Sequence, residues 1–307
     1  FRMDGDGEYL ALVAPDGETI VDALAPKYPP QFPNVAFGFS SESDRPVFFA
    51  DPTPGEPNGT GYAGVCPEPQ ASVSRGFYDE PFALNLDLPG PEYGIRYTLD
   101  GTLPTKTHGA YYKGSIRVSG TTILRAVALR AGHISSRVVT HTYIFIDGVI
   151  RQPKRPKGFP ASWGEDRQYR RVTPADYEMD PRVTKNTQPG YGVREALLDL
   201  PSISVVLPTQ DLFDGRKGIY SNPLSRGIPW ERIMSMEWID PEGGRGFQVN
   251  AGIRMQGNSS RRQTRMQKHS FRILDERKPP RDGASVRAIA LRAPLSQWPL
   301  LGYLHSC

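Results

Sequence analysis

The chain is poor in the residues that build covalent or metal-held scaffolds. Its 307 residues include two cysteines, Cys66 and Cys307. These lie far apart in sequence, so neither a disulfide framework nor a Cys-rich zinc site can be assembled from them. His108, His133, His141 and His269 are scattered without the short spacing of a metal-binding pair. No run of about 18 apolar residues occurs, which excludes an ordinary membrane-spanning helix. An extended amphipathic helical pattern is missing, as is a solenoid repeat. The net charge of +4 is too small to imply a nucleic-acid partner. Basic residues nevertheless gather in RQPKRPKG and in SSRRQTRMQKHSFR. GGRGFQVNAG lacks the strand-turn-helix setting of a dinucleotide fingerprint, and MDGDGE lacks the ladder and closing Glu of a calcium loop and reads as a turn.

What the chain has is turn residues and short alternating runs. The 31 Gly and 30 Pro make up about a fifth of it, a mixture that suits many short strands joined by turns. EYLALVAPDGETIVDAL is a hairpin signal around Asp16-Gly17. DPTPGEPNGTGYAG is loop by composition. FALNLDL, GIRYTLD, SIRVSG, TTILRAVALR and VVTHTYIF are strand-like runs spaced as in an all-β sandwich. RQPKRPKGFP can form neither a helix nor a central strand, because proline supplies no N–H. A short helix is expected to start at Thr173-Pro174 and another at REALLDL. PSISVVL, GIYSN, ERIMSMEWID, FQVNAGIRMQG and KHSFRIL return to the strand pattern, with Glu237 standing between apolar neighbours.

Within IRYTLDGTLPT, Asp100-Gly101 reads as a tight hairpin turn, since Asp-Gly tolerates the positive φ such a turn needs. A catalytic role for Asp100 would require a partner acid across a cleft, and none is placed nearby. This stretch, continuing through GAYYKGSIRVSGTTILRAVALRAGHISSRVVTHTY, resembles the chitobiase and β-hexosaminidase type of C-terminal β-sandwich. The resemblance rests on Ile95, Tyr97, Thr98, Asp100, Gly101 and Pro104, then Leu124, Arg125, Ala126, Gly132 and Ser135. It implies a non-catalytic Ig-like module. Tyr28, Tyr111 and Tyr112 are candidates for a sugar platform, with core packing as the alternative reading.

The first fifty residues resemble the end of a lamin-tail domain through GEYLALVAPDGETIVDAL, KYPPQFPNVAFG and FFADPTPGEPN. GIYSNP, WERIMSMEWID and FQVNAGIRMQGNSSRRQTRMQKHSFRI resemble the start of the CotH kinase family. The carrying residues there are Gly252, Arg254, Gly257, Ser259, Ser260 and Arg261, followed by Lys268, Ser270, Phe271 and Arg272. By that resemblance Lys268, on an expected strand, with Gly257 and Arg254, would meet a nucleotide phosphate. The other reading is a solvated basic loop. ATP and Mg²⁺ would then belong to the longer protein rather than to this chain. Phosphoryl transfer also needs metal-holding carboxylates, and Asp275 and Asp282 have no evident partners.

The expected architecture is therefore mainly β: Ig-like sandwich modules in tandem, followed by a β-rich start of a CotH-type kinase-like region. The boundaries are residues 1–50 for the lamin-tail-like part, 51–73 for a linker, 74–146 for the sandwich, 147–199 for a second linker, 200–275 for the CotH-type region and 276–307 for an atypical tail. The opening at Phe1 inside a strand pattern and the unfamiliar tail lead us to expect a piece of a longer polypeptide. The resemblances imply an exported bacterial protein at the cell surface, whose partners are carbohydrate or surface components and other domains of the same polypeptide. The expected role is non-catalytic spacing or attachment; the alternative is the N-terminal part of an atypical kinase. Asn58 and Asn258 fit the glycosylation sequon.

Overall fold

The computed structural model describes residues 3–40, 43–166, 170–186, 188–243, 246–262, 265, 266, 268–275 and 289–291. The chain is mainly β and divides into two compact units, residues 1–66 with 129–135, and residues 67–128 with 136–307.

The first unit is made of paired strands. β1 (Leu10–Val13) and β2 (Ile20–Leu24) form an antiparallel hairpin. Its turn closes because Asp16 Oδ1 accepts the amides of Glu18 and Thr19 at 3.0 and 2.9 Å while Gly17 takes φ +76°. β3 (Ala36–Ser40) pairs with β4 (Ser43–Phe49), and β5 (Gly64–Val65) runs parallel to β14 (His133–Ile134). MDGDGE is a turn: the Asp6 amide donates to Asp4 Oδ1, and the hydroxyl of buried Tyr28 donates to the Asp4 carbonyl at 2.8 Å. Tyr28 is thus core rather than platform.

The second unit begins with a sandwich. Its larger sheet has the order β11 (Ala110–Tyr111), β10 (Gly94–Thr98), β13 (Thr122–Leu129), β15 (Val139–Phe145), β7 (Gly76–Tyr78), with β7 parallel to β15. The pairs β8 (Phe82–Leu84) with β12 (Ile116–Val118) and β6 (Gln70–Ala71) with β9 (Leu86–Asp87) complete it. Alternation along β15 sends Val139, Tyr143 and Phe145 to one face, where they meet Leu84, Leu86, Ile95, Ile116, Val118, Leu124 and Ala126. Each leucine buried there stabilises by roughly 1.5–3 kcal/mol relative to exposure. Thr140, Thr142 and Ile144 occupy the opposite face.

A second sheet follows, antiparallel throughout, in the order β18 (Ser202–Val206), β19 (Arg232–Ile239), β20 (Phe247–Gln256), β21 (Ser270–Asp275), β22 (Ile289–Leu291). β19 is buried on both faces, which explains its nearly continuous apolar run. Met234 and Met236 join Ala251, Ile253, Met255 and Ile273 in a core with Trp163, Leu207, Leu212 and Tyr220. From the other face, Glu237 reaches β15, and Ile239 packs with Ile144, Ile146 and Val149.

Several local expectations change. Residues 147–199 carry α1 (Ile146–Ile150), which begins one residue earlier, the hairpin β16 (Ser162–Asp166) with β17 (Arg171–Pro174), α2 (Pro181–Thr184) and α3 (Val193–Asp199). They place Trp163, Tyr177, Met179, Val193 and Leu197 in the cores, although RQPKRPKGFP itself is irregular. Thr173-Pro174 ends a strand; the helix starts at Asp180, whose carboxylate accepts the Arg182 amide at 2.8 Å with Pro181 in the first turn. GIYSN is a turn after α4 (Thr209–Phe213), not a strand. Its Gly218 amide bonds back to the Asp214 carbonyl at 2.9 Å and buries Ile219 and Tyr220. Asp100-Gly101 is a turn, but it does not close a tight hairpin. Asp100 Oδ1 accepts the Thr102 amide and hydroxyl at 3.0 and 2.7 Å, and residues 99–109 separate the paired strands β10 and β11. Among the described residues no helix is long and apolar enough to cross a membrane.

Candidate functional site

The residues assigned to phosphate lie at one end of the β20–β21 hairpin. Pairing stops at Gln256 opposite Ser270, so Gly257 opens the connection and Lys268 lies one residue before its other end. Gly257 adopts φ +108°, and a Cβ there would collide with Ser260 Oγ. The turn is held from within. Arg261, 8% exposed, donates through Nη1 to the Ser225 carbonyl at 3.1 Å and through Nη2 to the Met255 carbonyl. Burial lowers its guanidinium affinity for a proton, and neighbouring Arg226 adds to the effect.

Arg254, inside β20, donates through Nε to Glu231 Oε2 at 2.7 Å. Gly252 makes room for that carboxylate, because a Cβ at this position would occupy the space of Glu231 Oε1. Lys268 precedes β21 rather than lying on it, and its Nζ is 3.5 Å from Asp176 Oδ2. Both cations therefore face carboxylates, on two different segments. His269, which the sequence left without a role, is buried against Tyr220, with ring centroids 5.1 Å apart and Nδ1 3.2 Å from the Ser260 carbonyl. Burial holds its imidazole down at about 4. Asp282 lies outside the described residues, as does the Asp275 side chain.

Tyr111 and Tyr112 do not form a joint platform, because successive residues of an extended chain face opposite ways. Tyr111 is 55% exposed, with the Arg96 guanidinium carbon 3.8 Å from its ring centroid. Tyr112 turns inward against the sandwich core, 6.4 Å from the Tyr97 ring. Asn58 donates from its side-chain amide to the Phe39 carbonyl at 2.7 Å, and Asn258 accepts from Arg226 at 2.9 Å.

The most concentrated buried chemistry lies where β19 meets β15. Among the described residues Glu237 is the one carboxylate in the buried set, at 0% exposure. Its neighbours across the sheet are Ser204 on β18 and Gln248 on β20. β7 reaches only to Tyr143, and beyond its end Glu237 Oε1 accepts the Thr142 amide at 3.1 Å. Oε2 accepts the Thr142 hydroxyl, which also lies 2.8 Å from Ser204 Oγ. Arg75 Nε is 2.9 Å from Oε1, and its Nη2 donates to the Thr140 carbonyl at 3.3 Å. Asn250 adds a longer bond to the Val138 carbonyl at 3.4 Å. Burial pushes Glu237 up from 4.5 to about 7, against the Thr142 and Arg75 donors that favour its ionised form. The sequence signal for this site was a single acid in an apolar run; Arg75, Thr142 and Ser204 carried none.

Residues 84–143 match the family model described as Fn3 associated. The match runs from the end of β8 to Tyr143 in β15 and so covers most of the sandwich, and the Glu237 contact at Thr142 falls inside it. No curated protein and no solved structure matches the chain.

Proposed function

We propose that this chain is a non-catalytic modular segment in which the Fn3-associated sandwich serves as a rigid mount for the C-terminal sheet, spacing and presenting it within a longer exported protein. The observation that carries this reading is the seam. A flexible linker leaves two modules exchanging few contacts. Here a fully buried acid from one sheet takes an amide, a hydroxyl and a guanidinium from the other module, beside an apolar cluster containing Ile144, Ile239 and Val193. Pairing of Arg254 and Lys268 with carboxylates also fits a scaffold better than a phosphate cradle. Scanning calorimetry of Glu237→Ala tests it. A mount predicts that the transitions of sandwich and sheet fall together; a shift in one alone would remove the reading.

The alternative, the N-terminal part of a CotH-type kinase, draws on one contact. A lysine facing an acid is an arrangement that kinases use, and Lys268 faces Asp176 at 3.5 Å. Transfer of labelled phosphate from ATP with Mg²⁺ to casein, abolished in Lys268→Ala, would favour it over the scaffold.

A further inference from the structure

We propose that the seam between the Fn3-associated sandwich and the C-terminal sheet is a proton-linked joint, which tightens when Glu237 takes up a proton and loosens when it is ionised. The inference rests on the mount reading and adds regulation to it.

The geometry suits both protonation states. With Glu237 ionised, the Thr142 hydroxyl donates to Oε2. With Glu237 protonated, the carboxylic O–H donates to Thr142 Oγ, and the Thr142 hydrogen passes to Ser204 Oγ, already 2.8 Å away. A hydroxyl can reverse its direction in this way because it both donates and accepts. The Thr142 amide remains on Oε1 in either state. One proton is thus accommodated by rotating the Thr142 and Ser204 hydroxyls.

Burial outweighs the Thr142 and Arg75 donors to the charged state. Arg75, from the segment before β7, is the cation in contact, and its side chain keeps 16% exposure. β15 adds Tyr143, whose phenol burial keeps neutral, and His141, held near 4 by burial and then by Arg75. β18 presents Ser204 and β20 presents Gln248, both uncharged. Arg75, His141 and Asp240 also line an open cleft of about 540 Å³ at the edge of the seam.

The sign follows from linkage. Packed, Glu237 titrates near 7; released to solvent, it returns to 4.5. Opening between those values must release a proton, so the seam is tightest below pH 4.5, loosens as pH rises to about 7, and is constant above. The gap bounds the change in the opening equilibrium at roughly two orders of magnitude. His141 works the other way in global unfolding: its pKa rises from about 4 to 6.5 on exposure, so its contribution is present above 6.5 and lost as pH falls. His141 shares the sandwich-core face of β15 with Tyr143, and Glu237→Gln, which keeps His141, separates the two contributions.

The test is hydrogen exchange at the Thr142 amide of the whole chain at pH 5 and pH 8, corrected for the pH dependence of intrinsic exchange. The joint predicts an opening constant about a hundredfold smaller at pH 5, and no such difference in Glu237→Gln. Equal opening at both pH values overturns the proton linkage and leaves the mount standing. An unprotected Thr142 amide at every pH overturns both. Should Glu237→Gln fail to fold, the wild-type side-chain carboxyl carbon resonance decides. A midpoint near 7 is expected, and one in the ordinary carboxylate range refutes the joint.

Discussion

Replacing Thr142 by Val isolates the hydroxyl at the centre of the seam. The substitution keeps shape and β-branching, so packing is nearly preserved. It removes the donor to Glu237 Oε2 and strands Ser204 Oγ, its neighbour at 2.8 Å. At pH 8, with Glu237 ionised, loss of a hydrogen bond to a charged group costs about 1.5–3 kcal/mol, and the unpartnered serine adds about 1 kcal/mol. At pH 5, with Glu237 neutral, the lost bond is worth about 0.5–1.5 kcal/mol, and the unpartnered serine adds the same ~1 kcal/mol as at pH 8. Thr142→Ser is the control, since it keeps the hydroxyl and loses one methyl, about 0.8 kcal/mol. Urea unfolding at both pH values reads the difference. The reasoning is refuted if the valine variant costs no more than the serine variant, or if its cost does not grow from pH 5 to pH 8.

Other expectations follow from single positions. Gly257→Val should destabilise by about 1–3 kcal/mol, because φ +108° and the nearby Ser260 Oγ both resist a side chain; a thermal melt within experimental error of wild type would contradict this. Tyr111→Ala should leave stability within about 0.5 kcal/mol yet abolish any chemical-shift response to chitin or plant oligosaccharides, whereas Tyr112→Ala should cost about 2 kcal/mol or more. ATP should bind no tighter than about millimolar, worth roughly 4 kcal/mol, because it must compete with Asp176 for Lys268 and with Glu231 for Arg254; calorimetric titration at micromolar affinity would contradict it.

The strands were legible wherever period-two alternation met a turn residue. TTILRAVALR and VVTHTYIF became β13 and β15, and FQVNAGIRMQG became β20. Asp16-Gly17 closed its hairpin because the cause is local: one side chain and one positive φ. Residues 147–199 were less legible. Their prolines and glycines mark irregular backbone, but irregular backbone can still deliver Trp163 and Tyr177 to a core. The paired tyrosines misled because proximity in sequence is opposition on a strand. Glu237 stood out as an acid among Met, Trp and Ile. Its meaning depended on Thr142, 95 residues earlier, and on Arg75, and long-range pairing leaves no periodic trace in a single sequence.

The central claim is that sandwich and C-terminal sheet are one mounted body, and amide nitrogen relaxation on the isotope-labelled chain tests it most directly. Residues of β13 and β15 and residues of β19 and β20 should report one common rotational correlation time, retained in Thr142→Ser. Two independent correlation times in the wild-type chain would contradict the account.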